Sequence, residues 1–356
     1  MKEVYSNIIQ FRGSHFDFGI MQGEQLKDSW IVKNREEQWK VRKPLFSIQV
    51  DETKEVYERF APQLWEEFLG LQEALEWPME RVLLEFGGYR VAVPRSGCSI
   101  YAKDNFFLRN YDYHPKTYEG RYMLYEPKDK GYATIGVSQK ITGRCEGMNE
   151  KGFVMAYNFV NRRKPGDGFV CNMIGRILLE TCASVDEGVA LLQEIPHRGS
   201  FNYVLLDRET TDPAIVEASP RGVEVRTDAI CTNHFEHFRE ENRNYLVDSK
   251  RRQKVIEENS TQQKDAETMF ALFNDPEKGV FSDLYSSWAG TIHTSAYFPQ
   301  DLITWIALGG NQQHTSFDFA EWLKGEEIVN QKVTGQVQTD IPFVHMERAN
   351  WYRTTN

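Results

Sequence analysis

Long apolar runs and paired cysteines are both scarce in this sequence. No window of the 356 residues approaches the roughly 18 uninterrupted apolar residues of a membrane-spanning helix. The first residues, MKEVYSNIIQFRGSHF, lack the apolar core of a signal peptide. The five cysteines are widely spaced and include no CxxC pair, which indicates neither a disulfide framework nor a thiolate zinc site. We therefore expect a cytoplasmic protein that does not associate with membranes.

Positive charge is also in short supply. The chain carries 42 Lys and Arg against 52 Asp and Glu, a formal net charge of -10. Such a balance provides no general attraction to nucleic acid, so small-molecule or protein partners are favoured. Hydrophobic residues make up 40% of the sequence, which excludes a disordered chain and predicts a substantial core.

The motifs of common cofactor and metal sites are missing. The sequence contains no GxGxxG, P-loop, HExxH or GxSxG motif, and we expect no cofactor. His234 and His237 are three residues apart, but a third ligand is not apparent. Surface or packing histidines are therefore favoured over a metal site.

The first 90 residues or so are predicted to be helical. From Asp51 onward, apolar residues recur at helical spacing with Glu and Lys between them. Pro62 is expected to kink this helix or divide it in two, and Pro78 fits the start of the next one.

Strands are predicted from about Val93. Aromatic and β-branched runs broken by turn residues at 103–105, 129–131 and 150–152 indicate successive antiparallel hairpins. Helical periodicity returns at 171–195 and 240–275, and further strands precede a short helix near 317–323. Blocks of strands and helices without regular alternation favour an α+β fold in which helices cover antiparallel sheets.

The most informative segment is GCSIYAKDNFFLRNYDY at residues 97–113. If its two strands pair about the turn at 103–105, Cys98 lies across from the Arg109–Asp112 neighbourhood. A guanidinium close to a thiol favours the thiolate, which is the nucleophilic form. The pattern alone leaves a second interpretation open, in which Cys98 is a small core residue and Arg109 and Asp112 form a surface ion pair.

Gly-Cys followed by an R-N-x-D strand resembles the N-terminal nucleophile (Ntn) cysteine hydrolases. The resemblance is to the group that includes acyl-CoA:6-aminopenicillanate acyltransferase, with choloylglycine hydrolase, penicillin V acylase and acid ceramidase as more distant relatives. Three further stretches are similar to motifs of these proteins and follow in the same order: FRGSHFDFGIMQG at 11–23, GMNEKGFVMAYNF at 147–159, and TNHF at 232–235.

The resemblance implies a four-layer αββα sandwich and a maturation step. The chain would be cleaved between Gly97 and Cys98 into a helical N-terminal pro-segment, residues 1–97, and a catalytic Ntn-hydrolase domain, residues 98–356. The cleaved chains would stay associated, and a homo-oligomer is compatible with the family. The new α-amino group has an ordinary pKa of about 7.7 to 8.0 and can serve as the general base for its own thiol.

The resemblance also assigns roles to five residues. Cys98 would be the nucleophile and, through its amine, the base, with Arg109 biasing the thiol toward thiolate. Asp112 would accept a hydrogen bond from the Cys98 ammonium. Asn233 would donate its side-chain amide to the oxyanion, with a second donor expected from the Asn158 region as a backbone N–H. For both asparagines a turn or cap role remains the alternative.

Two features depart from the family pattern. The spacing from Cys98 to Asp112 is shorter than in the relatives, which carry a further arginine late in the chain. The stretch Ser286 to Pro299 has no arginine at the similar position. The nearest candidates are predicted to lie on the surface of a charged helix: Arg243, Arg251 and Arg252.

We therefore expect an autoprocessing hydrolase that cleaves the linear amide of a small N-acyl compound. An acyltransferase is the first alternative, since only the acceptor of the acyl group differs. An uncleaved, non-catalytic small-molecule binding protein is the second, and an unprocessed cysteine enzyme served by His114 or His234 is the third. Four aromatic residues near the site could line an acyl pocket, although packing in the core is slightly favoured for them. They are Tyr111, Tyr113, Phe159 and Phe235.

Overall fold

The structure is a computed structural model that describes residues 1–29, 31–33, 48–92, 96–161, 164–261 and 264–346. Two β-sheets form its centre. The strands of the larger sheet are β1 (Lys2–Gly13), β4 (Arg121–Pro127), β5 (Thr134–Gln139), β6 (Gly143–Asn149), β7 (Val154–Asn161), β8 (Ser200–Leu206), β9 (Ala214–Ser219), β10 (Gly222–Thr227) and β16 (Lys332–Val337). Their order is β10-β9-β8-β7-β6-β5-β4-β1-β16, and only the β1–β4 pair is parallel within the described residues.

The smaller sheet carries the segment that the sequence singles out. Its strands are β2 (Gly97–Lys103), β3 (Phe106–Tyr113), β11 (Ile230–Cys231), β12 (Asp283–Leu284), β13 (Ala289–Phe298), β14 (Ile303–Leu308) and β15 (Thr315–Asp318). They run in the order β11-β2-β3-β13-β14-β15, with β12 pairing to β13. The predicted hairpins β2–β3, β4–β5 and β6–β7 are all present and antiparallel.

Helices cover both outer faces of the paired sheets. The helices that pack on the larger sheet are α5 (Cys171–Thr181) and α6 (Val185–Glu194), and those on the smaller sheet are α7 (Val247–Asn259) and α8 (Ala266–Asn274). A short helix, α9 (Phe319–Leu323), follows β15. On the inner side, β2 contacts β7. The predicted α+β architecture, a four-layer αββα sandwich, is therefore confirmed.

The N-terminal segment is less helical than predicted. Its helices are α1 (His15–Leu26), α2 (Val50–Phe60), α3 (Gln63–Leu75) and α4 (Met79–Phe86). Pro62 separates α2 from α3 and Pro78 precedes α4, as expected. The prediction is wrong for Lys2–Gly13, which form β1 between β4 and β16. Val4, Ser6 and Ile8 are buried in alternation, the two-residue period of a strand.

The N-terminal segment and the remainder of the chain share a buried ionic cluster. Arg176 on α5 pairs with Glu67 on α3 at 2.8 Å and with Glu180 on its own helix. The second oxygen of Glu180 contacts Nε2 of His15 on α1 at 3.0 Å. Burial disfavours the Glu180 carboxylate, yet the charges of Arg176 and His15 hold its pKa at about 2. The cluster therefore binds α1 and α3 to the helix that covers the larger sheet.

Helices α1 and α3 cross at close range through two glycines. A Cβ atom built on Gly70 would lie 2.1 Å from the carbonyl oxygen of Phe16, and one built on Gly19 would lie 2.2 Å from that of Glu67. Both obstacles are backbone atoms, which cannot move aside as a flexible side chain can.

We expect Gly70→Ala to lower the free energy of unfolding by about 1–3 kcal/mol, because the added methyl group forces the two helices apart. Denaturant unfolding monitored by circular dichroism measures the change. Glu73→Ala, at an exposed position of the same helix, is the matched control and should stay within about 0.5 kcal/mol of the parent. Equal stabilities of the two variants would contradict the close crossing.

Candidate active site

The β2–β3 hairpin sets the geometry of the site. Cys98 pairs with Tyr111, and Gly97 pairs with Asp112. The connecting turn contains Asp104 in the left-handed conformation at φ 56°, which Asp tolerates better than most residues. The tight hairpin therefore brings the start of β2 beside the end of β3, as the spacing predicts.

Arg109 approaches the thiol of Cys98 directly. Its Nη2 lies 3.3 Å from the Cys98 Sγ atom and donates to the carbonyl oxygen of Tyr157 at 2.7 Å. Its Nη1 donates to a carboxylate oxygen of Glu146 at 2.7 Å and to the carbonyl oxygen of Cys145 at 2.9 Å. Burial raises the pKa of the Cys98 thiol, and the positive charge of Arg109 offsets part of that rise.

Asp112 is a buried carboxyl group with one oxygen in use. Its Oδ1 accepts a hydrogen bond from the Thr291 hydroxyl at 2.7 Å. Its Oδ2 has no hydrogen-bond partner among the described residues and lies 3.9 Å from Nη1 of Arg252. Burial raises the pKa of Asp112 to about 7, against the lowering effect of the Arg252 charge and the Thr291 hydrogen bond. Oδ2 is therefore an available acceptor one strand away from Cys98.

Asn233 contacts the backbone of the nucleophile candidate. Its Oδ1 accepts the backbone N–H of Cys98 at 2.9 Å and an N–H of Arg252 at 2.8 Å. Its Nδ2 donates one hydrogen to the carbonyl oxygen of Phe159 at 2.7 Å, and its second N–H has no acceptor among the residues that the structure describes.

Arg252 does not lie on the surface, where its charged helix led us to expect it. From α7 its Nη1 donates to the carbonyl oxygen of Cys98 at 2.7 Å and to the Ser99 hydroxyl at 2.6 Å. Its Nε pairs with Asp248 at 2.9 Å. Only 2% of the residue is exposed. The predicted surface position is therefore wrong, because the guanidinium points inward to the carbonyl end of Cys98.

A sequence signal for Arg252 exists. The buried residues of α7 are Ser249, Arg252 and Ile256, which recur at helical spacing along one face. Arg252 shares that face with Ile256 and is thus directed toward the sheet. Arg251, one position earlier, is exposed as predicted, and Arg243 precedes the helix and is also exposed.

Asn158 lies behind the segment that carries Asn233. Its Nδ2 donates to the carbonyl oxygens of Cys231 at 3.0 Å and Thr232 at 3.4 Å. The side chain therefore holds the residues just before Asn233 in place. The prediction of a backbone N–H donor from this region remains a prediction.

The two alternative bases are engaged elsewhere. His234 contacts the Ser249 hydroxyl through Nδ1 at 2.8 Å and Glu236 through Nε2 at 2.9 Å. The ring of His114 lies 4.6 Å from that of Trp288, and its Nδ1 accepts the backbone N–H of Lys116. Burial lowers the pKa of both histidines. In the part of the chain that the structure describes, no group of three or more His, Cys, Asp or Glu side chains could hold a metal ion.

A cleft of about 400 Å³ opens beside Gly97. Asn233, Arg252 and Phe159 form part of its wall. Of the other aromatic residues proposed for an acyl pocket, Tyr111, Tyr113 and Phe235 are buried, which fits the core alternative. The cleft also has three apolar lining residues that sequence reasoning missed: Tyr245, Leu284 and Trp288.

These three residues are unusual in being large, apolar and exposed. Tyr245 is 74% exposed, Leu284 45% and Trp288 37%. Exposed apolar side chains gathered at one place commonly mark a binding surface. We refer to Tyr245, Leu284 and Trp288 below as the apolar rim.

The αββα sandwich and the cysteine at the start of one of its inner strands define an enzyme of the Ntn type, a class that comprises amide hydrolases and acyltransferases. The sequence profile of the acyl-coenzyme A:6-aminopenicillanic acid acyl-transferase family matches residues 101–313, more than half of the chain. The chain belongs to this family. The matched region begins three residues after Cys98 and includes Arg109, Asp112, Asn158 and Asn233.

Solved structures show more distant similarity. A mutant of conjugated bile acid hydrolase from Clostridium perfringens is 14% identical with a TM-score of 0.43, over 68% of this chain and 99% of that one. Penicillin V acylase from Agrobacterium tumefaciens is 13% identical with a TM-score of 0.40, over 63% and 86%. The N-acylethanolamine-hydrolyzing acid amidase ortholog of Caenorhabditis elegans is 10% identical with a TM-score of 0.41, over 57% and 92%. No curated protein sequence matches the chain significantly.

None of the described helices is long and apolar enough to cross a membrane.

The raised pKa of Asp112 predicts an unusual dependence of stability on pH. The unfolded chain ionises this carboxyl near its ordinary pKa of 3.8, whereas the folded chain holds the proton up to about 7. The folded state therefore binds more protons over this range, and the contribution of Asp112 to stability falls as pH rises from about 4 to about 7.

Asp112→Asn in a Cys98→Ala background should remove this pH dependence, because asparagine does not ionise. Urea unfolding at about pH 5 and about pH 8 measures it, with Cys98→Ala alone as the control that excludes the thiol. If both proteins lose the same stability between the two pH values, the carboxyl does not titrate in this range.

Proposed function

We propose that the chain cleaves itself between Gly97 and Cys98 and then hydrolyses the amide bond of a small N-acyl compound through a thioester on Cys98. The observation that carries this proposal is the contact of Arg109 with the Cys98 thiol. Cys98 lies at the start of β2, directly after Gly97. The cleft is lined by Gly97, the residue before Cys98, and by Asn233, which accepts the Cys98 backbone N–H.

Self-cleavage begins with the Cys98 sulfur attacking the carbonyl carbon of Gly97. The C–N bond to Cys98 breaks, the acyl chain passes to sulfur, and the Cys98 nitrogen takes up the thiol proton to become an amine. Water then hydrolyses the thioester, which leaves a carboxylate on Gly97 and restores the thiol. Glycine assists because it adopts backbone conformations that a larger residue resists.

The surroundings of Cys98 suit the amine that this reaction creates. The backbone nitrogen already donates to Asn233 Oδ1, so the new amine keeps one acceptor. Asp112 Oδ2 provides a second acceptor without giving up a hydrogen bond. A neutral amine and an ammonium interconvert near pH 7.7 to 8.0, which suits a general base at operating pH.

In turnover the amine accepts the thiol proton while sulfur attacks the carbonyl carbon of the substrate amide. The second N–H of Asn233 Nδ2 would donate to the tetrahedral oxyanion. A backbone N–H from the Asn158 region would be the second donor. The ammonium then protonates the departing amine, and a thioester remains on Cys98. Attack by water on this thioester releases the acid and completes hydrolysis.

Acyl transfer is the second candidate, and family membership favours it. The two reactions share the Cys98 thioester and differ only in whether water or a bound amine accepts the acyl group. The size of the cleft, about 400 Å³, is that of a small-molecule site, and the apolar rim suits an apolar acyl group.

We further infer that the two chains stay associated after cleavage. β1 lies between two strands of the larger sheet, so release of residues 1–97 would expose both neighbours. It would also break the buried pairs of Glu67 and His15 with α5, leaving unpaired charges in the core.

Intact mass spectrometry tests the cleavage. The purified protein should give two fragments, residues 1–97 and 98–356, and Cys98→Ala should give one full-length chain because the attacking sulfur is gone. Cys182→Ala, which removes a buried thiol in the link between α5 and α6, is the control and should cleave normally. A parent protein that stays at full mass after prolonged incubation would refute self-cleavage.

A panel of N-acyl amides of increasing chain length tests the activity and the apolar rim. Trp288→Ala should raise KM for long acyl chains by about tenfold, equivalent to about 1.4 kcal/mol of lost apolar contact, with little change for N-acetyl compounds. Val329→Ala, at an exposed apolar residue that is not part of the cleft, is the control. A trapped acyl group on any cysteine other than Cys98 would refute the site.

A further inference from the structure

A second buried charge cluster lies beside Arg109. Glu146 on β6 accepts a hydrogen bond from Arg109 Nη1 through one oxygen, while its other oxygen contacts Nε2 of His293 on β13 at 2.8 Å. The hydroxyl of Tyr297 donates to the same oxygen at 3.3 Å. Arg109, Glu146 and His293 are all completely buried. The reaction described above uses neither Glu146 nor His293.

The cluster spans the two sheets. Arg109 and His293 belong to neighbouring strands of the smaller sheet, whereas Glu146 belongs to the larger one. His293 is held in turn by the ring of Tyr111, which stacks on it at 4.8 Å. Glu146 therefore has His293 as a neighbour besides Arg109, and His293 has Tyr111 as a neighbour besides Glu146.

The two terminal nitrogens of the Arg109 guanidinium contact different groups. Nη2 faces the Cys98 thiol, and Nη1 faces Glu146. Because the guanidinium is planar, a carboxylate that holds one nitrogen also fixes the direction of the other. Burial disfavours the Glu146 carboxylate, but the charges of His293 and Arg109 hold its pKa at about 2, so it is ionised throughout the neutral range.

We propose that Glu146 and His293 are positioning residues for the nucleophile: Glu146 aims the Arg109 guanidinium at the Cys98 thiol, and His293 fixes the Glu146 carboxylate. This proposal rests on the role of Cys98 proposed above. A purely structural role is the competing explanation, in which the ion pair only joins the two sheets.

The chain contains a cluster of the same composition that serves as an internal control. Arg176, Glu180 and His15 are also buried and joined through a shared carboxylate, but they join helices α5 and α1. Loss of Glu180 and loss of Glu146 should therefore both lower stability, but only loss of Glu146 should affect the thiol.

The readout is the ultraviolet absorbance of the Cys98 thiolate as a function of pH, taken as the difference between each protein and its Cys98→Ser counterpart. This titration requires neither turnover nor self-cleavage. The charged groups that act on the thiol are Arg109, Asp112 and Arg252. Circular dichroism and denaturant unfolding verify that each variant is folded.

We expect Arg109→Gln to raise the pKa of Cys98, because it removes the nearest cation. Glu146→Gln should also raise the pKa of Cys98 and reduce the thiolate fraction near neutral pH about tenfold, because Arg109 loses the carboxylate that holds it. The double variant should show no more than the effect of Arg109→Gln alone. Glu146→Asp keeps a carboxylate and should therefore raise the pKa of Cys98 less than Glu146→Gln does. Glu180→Gln should leave the titration of Cys98 unchanged.

Three results would overturn the proposal, and the first is an unchanged thiol pKa in Glu146→Gln. A lower thiol pKa in Glu146→Gln would mean that Arg109 stays in place and acts with its full charge, and full additivity in the double variant would mean that Glu146 acts independently. If Glu146→Gln does not fold, His293→Asn keeps the ion pair and should shift the pKa upward by a smaller amount. An unchanged pKa in that variant would equally refute the role of His293.

Failure of this proposal and failure of the proposed function are distinguishable. If the protein neither cleaves itself nor hydrolyses amides, but Glu146→Gln still raises the pKa of Cys98, only the proposed function is contradicted. If the Glu146→Gln variant cleaves itself normally and the pKa of its Cys98 thiol is unchanged, only the positioning role is contradicted.

Discussion

The burial of Arg109 is the constraint on which the rest of the site depends. A guanidinium stays charged at any pH that a protein survives, so its burial requires an acceptor for its N–H groups. Two carbonyl oxygens, a carboxylate and the Cys98 sulfur accept from its two terminal nitrogens, and three of these four come from outside its own hairpin. The larger sheet is therefore held in register with the smaller one at the point where the nucleophile candidate lies. Any change that separates the sheets leaves a buried charge without its partner.

The groups around Cys98 suit both an intact peptide and a free amine. Asn233 and Arg252 contact the nitrogen and carbonyl of Cys98, while one oxygen of Asp112 has no hydrogen-bond partner within the described part of the chain. In the proposed reaction, the same set would first bind the backbone of the uncleaved chain and then bind the amine that replaces it. The β1 strand and the buried pairs of α1 and α3 lie away from the proposed scissile bond in the sequence, so their contacts do not depend on that bond.

Much of the fold could be predicted from local patterns. The three hairpins follow from aromatic and β-branched runs broken by turn residues, and the boundary between α2 and α3 follows from Pro62. Two features escaped prediction for different reasons. β1 has a two-residue burial period that was hidden within a segment dominated by helices. Arg252 lies in a highly charged helix, where composition suggests exposure although its face is turned to the sheet.

The sequence by itself determined the secondary structure of the central hairpins and the neighbourhood of Cys98, Arg109 and Asp112, because a short hairpin joins residues that are close in the chain. Its motifs also pointed to the family that the profile match establishes. Among the distant groups near Cys98, Asn233 was indicated by its motif, and only the tertiary structure decided the other three: Glu146, Arg252 and His293. Together these four residues contact the hairpin from four other segments of the chain. Their contacts depend on how sheets and helices pack across long sequence separations, and local periodicity carries no information about such packing.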